Sequence, residues 1–363
     1  MTRNRRETCI RFLTALGIGA CYIWLLFRPA DASAAAVSSL RLCAGVIVPS
    51  LFPFFVCTNL FSRLHLTKAA ERVFSRFMRP LFSLPGSCAA ALVAGFTGGY
   101  PSGAQAVAAL YEDAAIDKEQ ASRLLALCNN CGPAFIFGVV APLVFRRSLA
   151  GLLLYLVHCL SALLPGLIVR RKKPCEPSAP HAPACSCVSF SEAFTASVRR
   201  SGKTALEICM FVLVFGILGA MAQTALSPLL PAWTLTLVSG AFELSGGASA
   251  LSKLSAPLGM KFVLASFFLA FGGASVHAQT KAVLGAAGLY DLPVFLPKLR
   301  HALFAALLSV PVYILFRKPL SAAAAFSGGV SFLFPIAAEF FLCAALIFLF
   351  RKMAGSNFSG HRV

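Results

Sequence analysis

Residues 94–138 constrain the fold more tightly than any other stretch of this chain: AGFTGGYPSGAQAVAALYEDAAIDKEQASRLLALCNNCGPAFIFG. Two apolar segments are each interrupted in the middle, one by Gly98-Gly99-Tyr100-Pro101-Ser102-Gly103, the other by Asn129-Asn130-Cys131-Gly132-Pro133. In lipid such breaks are costly, because the freed backbone N–H and C=O groups need partners. They persist where the broken backbone lines a cavity, as in the midplane binding sites of transporters. The stretch is expected to build half of such a site.

Composition fixes the class. The 363 residues are 58% hydrophobic and 12% charged, whereas soluble domains carry about 25% charged residues. Mean hydropathy is +0.80. Apolar runs near spanning length recur from Phe12 to Phe350, so an all-α polytopic protein of the cell membrane is expected, with the lipid bilayer as its surroundings. The net charge of +19 is not the footprint of a nucleic-acid partner, because Lys and Arg gather at the ends of apolar runs. That is the positive-inside pattern. The cysteines sit mostly singly in apolar runs, as small hydrophobes.

Charge parity orders the segments. The basic stretch 63–79 reads as an amphipathic helix on the cytoplasmic surface. The loop 170–203, with seven Lys/Arg against two Glu, is cytoplasmic as well. Three apolar segments lie between them (89–111, 124–145 and 149–169), and three crossings cannot join two loops on one side. The halves of 89–111 are about ten residues each, roughly 15 Å as helices, half the hydrocarbon thickness. This segment is therefore expected to be a re-entrant hairpin, and 124–145 a crossing helix unwound at 129–133.

The second half repeats the order: a helix over 204–226, a short segment broken at 243–247, a longer one broken at 272–277, and a crossing over 302–316. The expected architecture is two inverted repeats, each with a re-entrant hairpin and a broken transmembrane helix. The expected division is an N-terminal anchor over 1–41, a first repeat over 42–169, a linker over 170–203, a second repeat over 204–316, and a C-terminal helix and tail over 317–363. The run 12–27 reads as an uncleaved anchor with its N-terminus in the cytoplasm; the alternative is a signal peptide cut within Ala30-Asp31-Ala32-Ser33-Ala34.

The run PSLFPFF, then MRPLFSLPG, GYPSGA and NNCGPAFIFG, with FELSGG and GGASVHAQ in the second half, resembles the sporulation integral membrane protein YlbJ family. That family belongs to the nucleoside-recognition Gate group and is similar in architecture to concentrative nucleoside transporters. The resemblance implies a transporter-like protein of spore formation, with dipicolinic acid as a substrate, and Gate-like repeats in each half. The chain departs from the pattern at Cys128 and Cys131, which stand where hydroxyl or small residues are expected.

Half-helix N-termini carry partial positive charge and free N–H donors, which suits carboxylates. The expected binding set is Gly99, Ser102, Gly103, Gln105, Asn129, Asn130, Gly132, Ser245, Gly246, Gly247, Gly273, Ser275 and Gln279. Tight helix packing explains the small residues equally well. Glu243, His277 and Lys281 are the expected coupling or charge-bearing groups, because ionisable residues in spans are expensive. Glu243 would hold a coupling Na+ or carry H+. His277 would titrate, or else simply donate to a carbonyl; Lys281 would attract an anion, or else snorkel to the interface. His158, Glu207 and Glu339 read as structural. No cofactor or metal is expected: Cys175, His181, Cys185 and Cys187 fit no closed zinc spacing. Nor is an enzyme expected. Ser201-Gly202-Lys203-Thr204 lacks the first glycine and the strand of a phosphate loop, and Cys128-x-x-Cys131 lacks a thioredoxin-like setting. The competing functions are transport of a small organic anion, transport of a nucleoside-like solute, and a non-transporting membrane scaffold.

Overall fold

A computed structural model describes residues 3–64, 68–168 and 189–321. Every regular element among them is helical. Helix α1 spans Arg3–Phe27, and α2 (Pro29–Leu42) follows at once, with Pro29 at its first position. The small-residue stretch 30–34 is therefore helix. A wide π-turn at Cys43–Ile47 leads into α3 (Val48–Arg63), giving one apolar span over Pro29–Phe61. Helix α4 (Lys68–Phe77) continues through a second π-turn, Met78–Phe82, and the chain then bends by 117° between Arg72–Phe82 and Gly86–Gly98.

Helices α5 (Ala89–Gly98) and α6 (Ser102–Glu112) pack on each other across the expected break. A capping box then starts α7 (Lys118–Cys128): the Asp117 carboxylate accepts from the Gln120 N–H, and the Gln120 side chain accepts from the Asp117 N–H. Pro133 ends the interruption at 129–132. Its ring forces Gly132 into extended backbone and suits the first position of α8 (Pro133–Phe135). A π-helical segment, Ile136–Phe145, carries the chain on to α9 (Ser148–Ile168).

The second half begins earlier than its hydropathy indicates. Helix α10 runs Phe190–Leu226, 37 residues, so 190–203 of the expected linker are its first turns. The polar start is held by a capping box, with the Ser189 hydroxyl accepting from the Glu192 N–H. Helices α11 (Ala232–Phe242) and α12 (Leu244–Lys253) are separated by one extended residue, Glu243. Helices α13 (Leu258–Phe271) and α14 (Gly273–Ala286) are separated by Gly272 alone, at φ +82°. Both second-half breaks are thus narrower than the expected 243–247 and 272–277. A glycine in left-handed backbone bends the chain without unwinding it. Helix α15 (Phe295–Ser321) closes the described part. The remainder of the linker, its cysteines and His181, Glu339 and the expected C-terminal crossing lie outside the described residues.

Among the described residues, five helices are long and apolar enough to cross a membrane, which makes this a multi-pass membrane protein. Lipid is as apolar as leucine, so close packing rather than escape from water holds such helices together. One core joins the two halves: Ile47, Leu51 and Phe55 of the first meet Leu244, Phe268 and Val276 of the second, with Phe135 and Ile136 between. A second core lies under α5–α7 and reaches Leu284, Leu289 and Leu292.

Candidate functional site

Three of the four helix breaks converge on one cavity, and α14, which follows the fourth break at Gly272, adds two residues to it. The turn Gly98-Gly99-Tyr100, the unwound Cys131-Gly132, the extended Glu243 with Leu244 and Ser245, and Val276 with Gln279 of α14 line one cavity of about 50 Å³. Ile47, Leu51, Phe55, Ala134, Phe135, Ile208 and Val212 complete its mostly apolar wall. A single water needs about 10–15 Å³ of such space, so the cavity holds a few waters and its walls must separate before an organic solute fits.

Backbone-on-backbone contact makes the first-half side. A Cβ on Gly95 or Gly103 would run into the Cys128 carbonyl, and one on Gly132 would lie 2.9 Å from the Gly99 Cα. Glycine is required here by proximity. Tyr100 is buried, and its hydroxyl reaches the Leu269 carbonyl at 3.4 Å, tying the turn to the end of α13.

On the second-half side, Glu243 caps α12. Its carboxylate accepts from the backbone N–H of Ser245 at 2.9 Å and of Gly246 at 2.5 Å. The positive end of this half-helix therefore already holds a carboxylate, one belonging to the chain itself. That arrangement sets Glu243 as the cap of the cavity wall.

Of the expected binding residues, Gly99, Gly132, Ser245 and Gln279 line the cavity together with Glu243. Ser102 and Gln105 do not; they line a second cavity on the other side of Gly98. Gly103 is packed on Cys128, Gly247 on Gly240, and Gly273 against the Gly240 carbonyl. Gly246 serves the Glu243 cap, and Ser275 accepts from Gln279 at 3.2 Å. Asn129 and Asn130 stand behind the wall: Asn129 Nδ2 donates to Thr280 Oγ1 at 3.0 Å, and Asn130 Nδ2 to the Leu127 carbonyl at 2.6 Å.

Two charge-bearing candidates sit away from the cavity. His277 Nε2 donates to the Phe271 carbonyl at 2.9 Å, and its ring packs edge-on against Phe271 and Phe295. This is the simple donor reading, with a carbonyl requiring the proton on Nε2. Lys281 Nζ donates to the Tyr290 and Leu292 carbonyls at 2.6 and 2.8 Å, closing the turn before α15 rather than facing a solute.

The polar group that sequence reasoning missed is Lys298, 2% exposed. Its ammonium donates to the Asn129 carbonyl at 2.8 Å, lies 3.0 Å from His301 Nδ1, and sits 5.0 Å below the centre of the Tyr100 ring. Among the described residues no carboxylate pairs with it. His301 Nε2 in turn meets Ser161 Oγ at 3.1 Å. His158, expected to be structural, accepts the Cys131 N–H of the unwound stretch on Nε2 at 3.0 Å. Asn129 Oδ1, Asn130 Oδ1 and His158 Nδ1 are buried with no hydrogen-bond partner among the described residues. Buried polar groups are expensive unless partnered, so this knot is a fixed, costly feature. No group of three or more His, Cys, Asp and Glu capable of holding a metal occurs among the described residues.

Comparison with known proteins agrees with the motifs. The Gate family, described as nucleoside recognition, matches residues 44–146, a range that holds the first-half wall of the cavity. The chain is 28% identical to the sporulation integral membrane protein YlbJ of Bacillus subtilis (strain 168), over 92% of this chain and 94% of that protein. No solved structure matches. This multi-pass membrane protein is thus similar to YlbJ over nearly its whole length, and its residues 44–146 match the Gate model.

Proposed function

We propose that the chain is a transporter-like membrane protein of sporulation that moves a small organic anion, such as dipicolinate, through the cavity between its broken helices. One observation carries this reading: broken backbone from both halves meets at a single cavity, the arrangement secondary transporters use. The buried ammonium of Lys298 behind Tyr100 supports an anionic solute. In this reading the halves are inverted repeats, the N-terminus is cytoplasmic, and H+ or Na+ supplies the coupling. Gly99, Gly132, Ser245 and Gln279 contact the solute, and Glu243 fixes the backbone around it.

A nucleoside-like solute is the second reading. It is favoured by the description of the matched family and by the carboxylate of Glu243 in the mostly apolar wall. Proteoliposome uptake of dipicolinate and uridine, across a pH and sodium series, separates the two. Saturable dipicolinate flux supports the first reading and uridine flux the second. Absence of flux for both under every gradient leaves the scaffold role and overturns transport. Cysteine labelling of positions 112–122 tests the topology, and labelling from outside alone would overturn the hairpin's entry from the cytoplasm.

A further inference from the structure

The cavity beyond Gly98 has its own chemistry. It measures about 460 Å³ and is lined by Arg63 at the end of α3, Arg200 on α10, and Asn59, Thr97, Ser102 and Gln105. Gly98 borders both this cavity and the central one, so only the tip of the α5–α6 pair separates them.

The walls are tied in place. Asn59 Nδ2 donates to Ser201 Oγ at 3.0 Å, joining α3 to α10, and Arg200 Nη2 donates to Gln105 Oε1 at 3.0 Å, joining α10 to α6. With that oxygen engaged, Gln105 offers its amide N–H groups as donors. Among the described residues neither arginine pairs with a carboxylate. Asp113 is the single acid on the lining. Two guanidiniums against one carboxylate leave the cavity positive, and each guanidinium has a planar fork of donors that matches a carboxylate in two-point fashion. The volume is ample for an aromatic or short aliphatic diacid.

We infer that this cavity is a docking vestibule for a small dicarboxylate, with Arg63 and Arg200 each engaging one carboxylate and Ser102 and Gln105 adding donors from the hairpin. It deepens the transport reading and rests on it only for the onward passage past Gly98. An anionic lipid headgroup presents similar chemistry, and the test includes it.

The full-length protein in phosphatidylcholine nanodiscs is titrated calorimetrically with isophthalate, benzoate and uridine at low and high salt. Isophthalate is expected to bind, benzoate at least tenfold more weakly, and uridine not detectably. Arg63→Gln and Arg200→Gln each weaken isophthalate binding at least tenfold, and Arg200→Lys less than Arg200→Gln. Lys253→Gln, which removes an exposed charge elsewhere, leaves affinity within twofold. Gel-filtration profile and thermal midpoint establish that each variant is folded. The proposal is overturned if isophthalate does not bind, if both arginine variants bind as the parent does, or if phosphatidylglycerol nanodiscs abolish binding at every salt concentration, which assigns the arginines to lipid. Binding that follows both arginines without any flux keeps the vestibule and overturns transport. Flux that ignores both arginines does the reverse.

Discussion

The ammonium of Lys298 donates to the backbone carbonyl of Asn129 at 2.8 Å, across 169 residues of sequence. Asn129 is the first residue beyond α7, so the cation sits at the negative end of a half-helix whose last carbonyls lack intrahelical partners. Lys298→Met removes the charge and leaves that carbonyl buried and unpaired. Loss of about 1–3 kcal/mol of stability is expected, measured as a lower thermal midpoint by gel filtration after heating. An unchanged midpoint would show that the tether holds nothing.

The glycines on Cys128 permit a test of sign. Gly95→Ala and Gly103→Ala each force a methyl group into a backbone carbonyl that has no room to yield, and a cost of about 1–3 kcal/mol or more is expected for each. Gly219→Ala in α10 meets only Phe242, at 3.5 Å. Alanine is the better helix former by about 0.5–1 kcal/mol, so this substitution raises the midpoint while the other two lower it.

Asn129 and Thr280 join the halves by a side-chain hydrogen bond of 3.0 Å. A double-mutant cycle with Asn129→Ala and Thr280→Val is expected to give a coupling energy of about 0.6 kcal/mol, the average for such bonds in membranes. Additive losses would mean that the bond contributes nothing once formed.

Glu243 separates capping from charge. Glu243→Ala removes both acceptors of the α12 N-terminus and is expected to cost about 0.5–2 kcal/mol. Glu243→Gln keeps one acceptor oxygen and retains most of that stability. If Glu243→Gln nevertheless stops uptake at normal membrane levels, the carboxylate charge is part of the transport step.

Outside the membrane core, Lys118 Nζ lies 2.6 Å from Asp291 Oδ2 and, through that hydrogen bond, holds the Asp291 carboxyl below its ordinary range. The pair's contribution is present above the unfolded carboxylate value of about 3.9. It is lost as pH falls through the lower folded value. Both groups are exposed and screened by salt, so Asp291→Asn is expected to lower the midpoint at pH 7 only slightly. Below about pH 4 the parent's midpoint falls toward that of the variant, and a difference persisting there would contradict the pairing.

The positions of the breaks were legible because glycine, proline and asparagine inside apolar runs have few other uses in lipid. Glu243 stood out for the same reason, as a charge where charge is expensive. What one residue does once the chain has folded was harder to read. Ser102 and Gln105 sit beside Gly99 in sequence yet turn to the second cavity, because a helix starting at Ser102 carries them to its far face. Lys298 escaped notice because it precedes the apolar run of α15 and reads as an interfacial lysine, while α15 itself begins at Phe295 and carries it inward. His158 was read as structural because nothing in its own helix shows what it meets. Its partner is a backbone N–H that exists only because 129–132 is unwound.

The contacts of α5, α6 and α7 have a mechanical consequence. Where Gly95 and Gly103 rest on the Cys128 carbonyl and Gly99 on Gly132, no side chains lie between the backbones to roll or re-pack. Shear of one against another drives a Cα into a main-chain atom, so the three half-length helices act as one rigid plate. Any hinge must lie elsewhere, at seams made of side chains: Tyr100 on the Leu269 carbonyl and Asn129 on Thr280. Over the apolar contacts with Leu284, Leu289 and Leu292, these two hydrogen bonds and that of Lys298 to the Asn129 carbonyl are latches between the plate and the second half of the molecule.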